Sequence, residues 1–122
     1  LLERRGGCVI NVSSFAGLRA RANVSAYAAA KAGLIRFTES LALEWAPYGV
    51  RVNGIAPGSF PDPEQLSESA LRASEERAGR TIPLGRLGRL REVGLLAVYL
   101  ACDAASYMTG QTVAIDGGLT VA

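Results

Sequence analysis

The chain has 122 residues, 49% hydrophobic and 20% charged, which is an ordinary globular composition of about one domain's length. A net charge of +2 is too small to point to nucleic acid or an anionic membrane, and the longest apolar run, 95–102, is too short to span a bilayer. There is no histidine, and Cys8 and Cys102 stand far apart, so no zinc motif or disulfide framework is legible and a cytoplasmic, reducing setting is expected.

The first seven residues, "LLERRGG", read as the basic last turn and glycine stop of an amphipathic helix. A chain that opens there is expected to be a piece of a longer one. "CVINV" at 8–12 is a short β-branched run and predicts a buried strand. Residues 13–24 are polar and contain glycine, hence a loop. A long helix follows over 25–46, built from alanine, leucine and glutamate, with Leu34, Phe37, Leu41 and Trp45 as its apolar stripe. Pro47 and Gly49 stop it.

"VRVNGIA" at 50–56 predicts a second strand, ended by Pro57-Gly58. A polar helix is expected over 63–78, with Asp62 as N-cap, Pro63 in the first turn, Gln65 completing a capping box and Gly79 as its stop. A connector leads to a further helix over 91–102 with Val93, Leu96, Ala97 and Leu100 on one face. Arg86, Arg89 and Arg91 look like a solvated basic face, and both cysteines like buried thiols. A last strand is expected near 112–116. Strands alternating with helices, over connections long enough for parallel crossovers, predict an α/β fold with about three parallel strands.

Ligands of open parallel sheets sit beyond the carboxyl ends of the strands. Ser13 and Ser14 fall there after the first strand, and Pro57-Gly58 after the second. The Tyr27 end of the long helix must return to the same edge. Tyr27 and Lys31, four residues apart, share one helix face. Alone they would be an ordinary helical pair. At this edge, a cation roughly 6 Å from the phenol favours the phenolate, and without histidine no better proton donor is present.

Four strings in order carry a resemblance: "INVSS" (10–14), "YAAAK" (27–31), "VNGIAPG" (52–58) and "YMTGQTVAIDGG" (107–118). Together they resemble the short-chain dehydrogenase/reductase family, of the single-domain, 3-oxoacyl-ACP-reductase-like kind, over essentially the whole chain. The resemblance implies the C-terminal half of a doubly wound parallel-sheet Rossmann fold, with the dinucleotide-binding half absent and residues 59–90 as substrate lid and connector. It implies NAD(P)-dependent hydride transfer between nicotinamide, NAD or NADP, and a small-molecule alcohol or ketone. Tyr27 would be the acid/base, Lys31 would favour its phenolate and bind the ribose, and Ser14 would orient the carbonyl. Pro57, Gly58, Ser59 and Phe60 would line the nicotinamide. It further implies a homodimer or homotetramer, with neither nucleic acid nor membrane as partner. Two departures stand out. The family's glycine-rich loop, "NNAG"-like segment and upstream catalytic asparagine are not in these residues, so residues 1–122 alone are expected to be inactive. Asp62 stands where members often place a threonine. The rival expectation is a catalytically inactive piece that acts only through oligomer contacts.

Overall fold

The structure is a computed structural model and describes all of residues 1–122. Three strands frame it: β1 (Gly7–Val12), β2 (Val50–Pro57) and β3 (Thr112–Ile115). They form one parallel sheet in the order β1-β2-β3. Three helices connect them, α1 (Ser25–Trp45), α2 (Glu68–Thr81) and α3 (Leu90–Ala101), with single 3-10 turns at Phe15–Gly17, Ala46–Tyr48 and Asp103–Ala105. No helix is long and apolar enough to cross a membrane.

Successive side chains of a strand point to opposite faces, and β2 uses both. Val50 and Val52 pack on Ala42 of α1, with Leu41 and Trp45 alongside. Ile55 points the other way, into Leu100 of α3 and Ala105. The two helices therefore cover opposite faces, and the central strand is buried from both sides. Six of its eight residues, Asn53 among them, are therefore buried. Val93, Leu96, Ala97 and Leu100 form the inward face of α3, as expected.

The expected stripe on α1 is only half right. Leu41 and Trp45 pack on the sheet, but Phe37 is 54% exposed. The buried residues of α1 are Thr38 and Ala42. A polar contact decides this: the Thr38 hydroxyl donates to Leu34 O at 2.8 Å and accepts from Asn11 Nδ2 of β1 at 3.0 Å. Ala42 is small enough to let the helix backbone approach Val50 and Val52.

The helix expected over 63–78 begins later and ends later. Asp62 does not cap it. Its Oδ1 accepts from Glu64 N at 3.0 Å and its carbonyl from Gln65 N at 3.1 Å, which makes 62–65 a turn with Pro63 in second position. Ser67 is the cap, accepting from Ala70 N at 3.2 Å. Gly79 does not stop the helix, because Ile82 N still reaches Ala78 O at 3.0 Å. Only Ala78 of α2 is buried. Neither thiol is buried as expected: Cys8 is half-buried, and Cys102 is exposed just past the end of α3.

Arg86 is not a free surface cation. Its Nη1 and Nη2 meet the Glu92 carboxylate at 3.0 and 2.7 Å, and Arg89 N donates to the same carboxylate at 2.8 Å. The Arg86 hydrogen bonds, then the Arg89 amide, pull the Glu92 carboxyl down from 4.5 to about 2. A depressed acid stabilises the fold above its unfolded value and loses that contribution as pH falls through the folded one. Glu92→Gln is therefore expected to lower the urea midpoint at pH 6, with the deficit shrinking from about 4.5 downward and closing near 2. A deficit that persists unchanged down to the acid end would contradict this account.

Candidate active site

The edge at the carboxyl ends of β1 and β2 collects the residues singled out above. Ser13 continues the ladder, its N–H donating to Ile55 O at 2.7 Å. Its hydroxyl donates to Lys31 O at 2.8 Å. Ser14 is buried and starts the Phe15–Gly17 turn by accepting from Ala16 N at 3.1 Å. That bond uses the Ser14 oxygen as acceptor and leaves its proton free to donate. Of the two hydroxyls, then, Ser13 is committed to the helix and Ser14 can serve a ligand.

Lys31 is held from two sides. Its carbonyl takes Ser13, and its Nζ donates to Val12 O at 3.3 Å. Nζ also lies 5.7 Å from the Tyr27 ring centroid, a cation over an aromatic face. Tyr27 is 51% exposed and its hydroxyl makes no hydrogen bond within the chain. Gly17 explains the close fit of loop on helix. A Cβ there would lie 2.8 Å from Lys31 C and 2.9 Å from both Lys31 O and Ala32 N.

The second loop follows β2. Gly58 N donates to Ile115 O at 3.0 Å, and a Cβ at Gly58 would stand 2.8 Å from Asp116 Cβ. Glycine is needed there to pass Asp116, a reason the sequence reading did not foresee. Burial opposes charge on Asp116, but hydrogen bonds from the Thr120 hydroxyl and amide and from Gly118 N outweigh it and hold the carboxyl below its usual range. Ser59 O accepts from Gly88 N at 2.9 Å, and the Phe60 ring fills the space where a Gly88 side chain would be. The Phe60 backbone N–H and C=O make no hydrogen bond within the chain.

These residues fit a nicotinamide nucleoside. The Phe60 amide offers the donor and acceptor that a primary carboxamide pairs with, and the Lys31 ammonium keeps donors beyond the one spent on Val12. Three residues of the neighbourhood were missed from sequence: Gly88 beneath Phe60, and Arg21 and Arg77 in the adjoining cleft. Contacts between loops far apart in sequence leave no periodic signal.

Three parallel strands with helices on both faces form a Rossmann-type α/β arrangement, with a serine, a tyrosine and a lysine at its carboxyl edge. A family model described as enoyl-(acyl carrier protein) reductase matches residues 1–120. The chain belongs to the short-chain dehydrogenase/reductase family. It is 40% identical over 121 residues to the 3-oxoacyl-[acyl-carrier-protein] reductase FabG of Thermotoga maritima, covering 99% of this chain and 48% of that one. It is 42% identical over 119 residues to the trans-4-hydroxycyclohexanecarboxylate dehydrogenase of Sinomonas cyclohexanicum, covering 98% of this chain and 43% of the relative. Among solved structures, a gluconate 5-dehydrogenase from Burkholderia cenocepacia in complex with NADP and tartrate superposes with a TM-score of 0.89 at 34% identity, over 99% of this chain and 48% of its own. A 3-oxoacyl-[acyl-carrier protein] reductase from Brucella melitensis with bound NAD gives 0.86 at 38%, over 99% and 44%. The chain thus spans about half the length of the curated relatives it matches.

Proposed function

We propose that these residues carry the proton-transfer part of an NAD(P)-dependent dehydrogenase/reductase acting on an alcohol/carbonyl pair. The observation that supports this most is the double tie of Lys31 to the serine strand, through Val12 O and Ser13 Oγ, which brings serine loop, tyrosine and lysine to one sheet edge. The nicotinamide, when bound, supplies or accepts the hydride. Ser14 donates its free proton to the substrate oxygen and orients it. The Tyr27 hydroxyl passes a proton to that oxygen or takes one from it. The Lys31 ammonium favours the phenolate as charge develops and holds the ribose hydroxyls. Pro57, Gly58, Ser59 and Phe60 line the nicotinamide, with the Phe60 backbone meeting its carboxamide. Residues 59–90 form the cover on the substrate side.

The test is turnover of a carbonyl panel by the full-length protein with NADH and with NADPH, followed by nicotinamide absorbance. Consumption of neither nucleotide would overturn the reading. Ser14→Ala is expected to lower kcat by about 10²-fold, the scale of losing one donor to a developing oxyanion. Ser13→Ala is expected instead to cost about 1 kcal/mol of stability, for the lost bond to Lys31. Equal kinetic losses in the two variants would contradict the assignment of roles. We also propose that the protein assembles as a homodimer or homotetramer, because Phe37 and Leu43 of α1 and Tyr107 before β3 are exposed. Sedimentation equilibrium showing only monomer would refute that.

A further inference from the structure

We propose that the cleft between the serine loop and α2 holds the anionic end of the substrate, a carboxylate or phosphoryl group, through Arg21 and Arg77. The proposal rests on the oxidoreductase reading above and adds the substrate class to it. The cleft has a volume of about 710 Å³ and lies between residues 15–21, loop 59–61, α2 and the last residues of the chain. Its walls are apolar at Phe15, Phe60, Leu87 and Leu119. Its charged side chains are Arg19, Arg21 and Arg77, and no aspartate or glutamate side chain lines it. None of these arginines belongs to an ion pair, although other arginines of the chain do.

The three are not equivalent. Arg19 donates from Nη1 to Leu119 O at 2.6 Å and so fastens the C-terminal segment as one wall. Arg21 lies with its guanidinium carbon 5.0 Å from the Phe15 ring centroid. Stacking of that kind orients the planar group and leaves its edge donors for a ligand. The Arg77 guanidinium makes no hydrogen bond within the chain, while the Arg77 carbonyl accepts from Thr81 Oγ1 at 2.8 Å. Arg21 and Arg77 are thus two cations lining one largely apolar cleft, with no acidic side chain among its walls. A guanidinium fork matches a carboxylate or a phosphoryl group in two parallel bonds. The ligand that satisfies both kinds of wall has an apolar middle and an anionic end. Phe15, which lines the cleft, directly follows Ser14 in the chain, and the anion would sit at the far end of the molecule whose carbonyl Ser14 is assigned to orient.

The test uses the full-length protein in two arms. In the first, kcat/KM is compared for hydroxy acids and their methyl esters. The acid is expected to be preferred by at least tenfold, and the Arg21→Gln/Arg77→Gln double variant to cut that preference at least tenfold. Arg36→Gln removes a charge of the same kind from the outside of α1, one already paired with Glu39 at 2.6 Å, and is expected to change the preference less than twofold. In the second arm, the melting temperature is read with aliphatic dicarboxylates, their dimethyl esters and inorganic phosphate, without nucleotide. A rise is expected with the dicarboxylates or with phosphate, whichever source the site prefers, and none with the diesters. The double variant should lose that rise. Equal turnover of acid and ester leaves the oxidoreductase reading standing and overturns this one. Arginine-dependent anion binding with no turnover of any alcohol or carbonyl supports this site and overturns the oxidoreductase reading. A rise that survives in the double variant, or no rise with any anion, overturns the proposal whatever the kinetics.

Discussion

Tyr27→Phe is expected to lower kcat by about 10²–10⁴-fold, the range that a positioned general acid or base contributes. The fold should not notice. The Tyr27 hydroxyl makes no hydrogen bond within the chain, and the ring that stands 5.7 Å from Lys31 Nζ is kept by phenylalanine. Circular dichroism and melting temperature should therefore match wild type, and nucleotide affinity should change far less than turnover. Steady-state kinetics on the full-length protein is the measurement. A variant that turns over at wild-type rate would remove Tyr27 from the chemistry, and one that fails to fold would show that the ring is not seated as described.

The second large effect is expected at Gly17. A methyl group there would stand 2.8–2.9 Å from the backbone of Lys31 and Ala32. Those atoms belong to a helix and cannot turn aside as a flexible side chain would. The serine loop must lift off α1, which stretches the Ser13 hydroxyl from Lys31 O and Val12 O from Lys31 Nζ. Overpacking of this sort costs about 1–3 kcal/mol. A displacement of reacting groups by about 1 Å can cost about 10²-fold in rate. Gly17→Ala should thus lose both stability and turnover. Gly33→Ala, in mid-α1 with nothing within 4 Å of the added carbon, should gain about 1 kcal/mol from helix propensity and keep its rate. If the two alanine variants melt alike, the packing of loop on helix is not what holds the lysine.

The frame of the molecule could be read before any coordinates. β1, β2 and α1 announce themselves through β-branched runs and an alanine-leucine helix of 21 residues, and α3 through one consistent apolar face, but β1, expected to be buried, stands at the sheet edge with no buried residue. Spacing also placed Ser14, Tyr27 and Lys31 at one edge, since strand ends and helix starts of a parallel sheet must meet there. What could not be read depends on choices between equals. Asp62-Pro63 suits a helix start as well as a turn, and only the bonds from Glu64 and Gln65 decide for the turn. Phe37 and Thr38 are neighbours on α1, and periodicity favours the phenylalanine, yet the Asn11 amide draws the threonine inward. Gly88 and the cleft arginines were illegible for a different reason. Their significance exists only where residues 15–21, 59–61 and α2 converge.

The single buried residue of α2 has a consequence for how such a protein can change. Ala78 is the one side chain of that helix enclosed by the rest of the molecule, while Ser14 and Lys31 are fastened to β1 and α1 by bonds that do not involve α2. Mutational drift in residues 61–77 therefore meets little resistance from packing, whereas drift at Gly17 meets a great deal. A combinatorial library confined to α2 and the turn before it would explore which molecules are accepted without disturbing the residues assigned to proton transfer. Selection could retune one half of the site many times over while the other half stayed as it is.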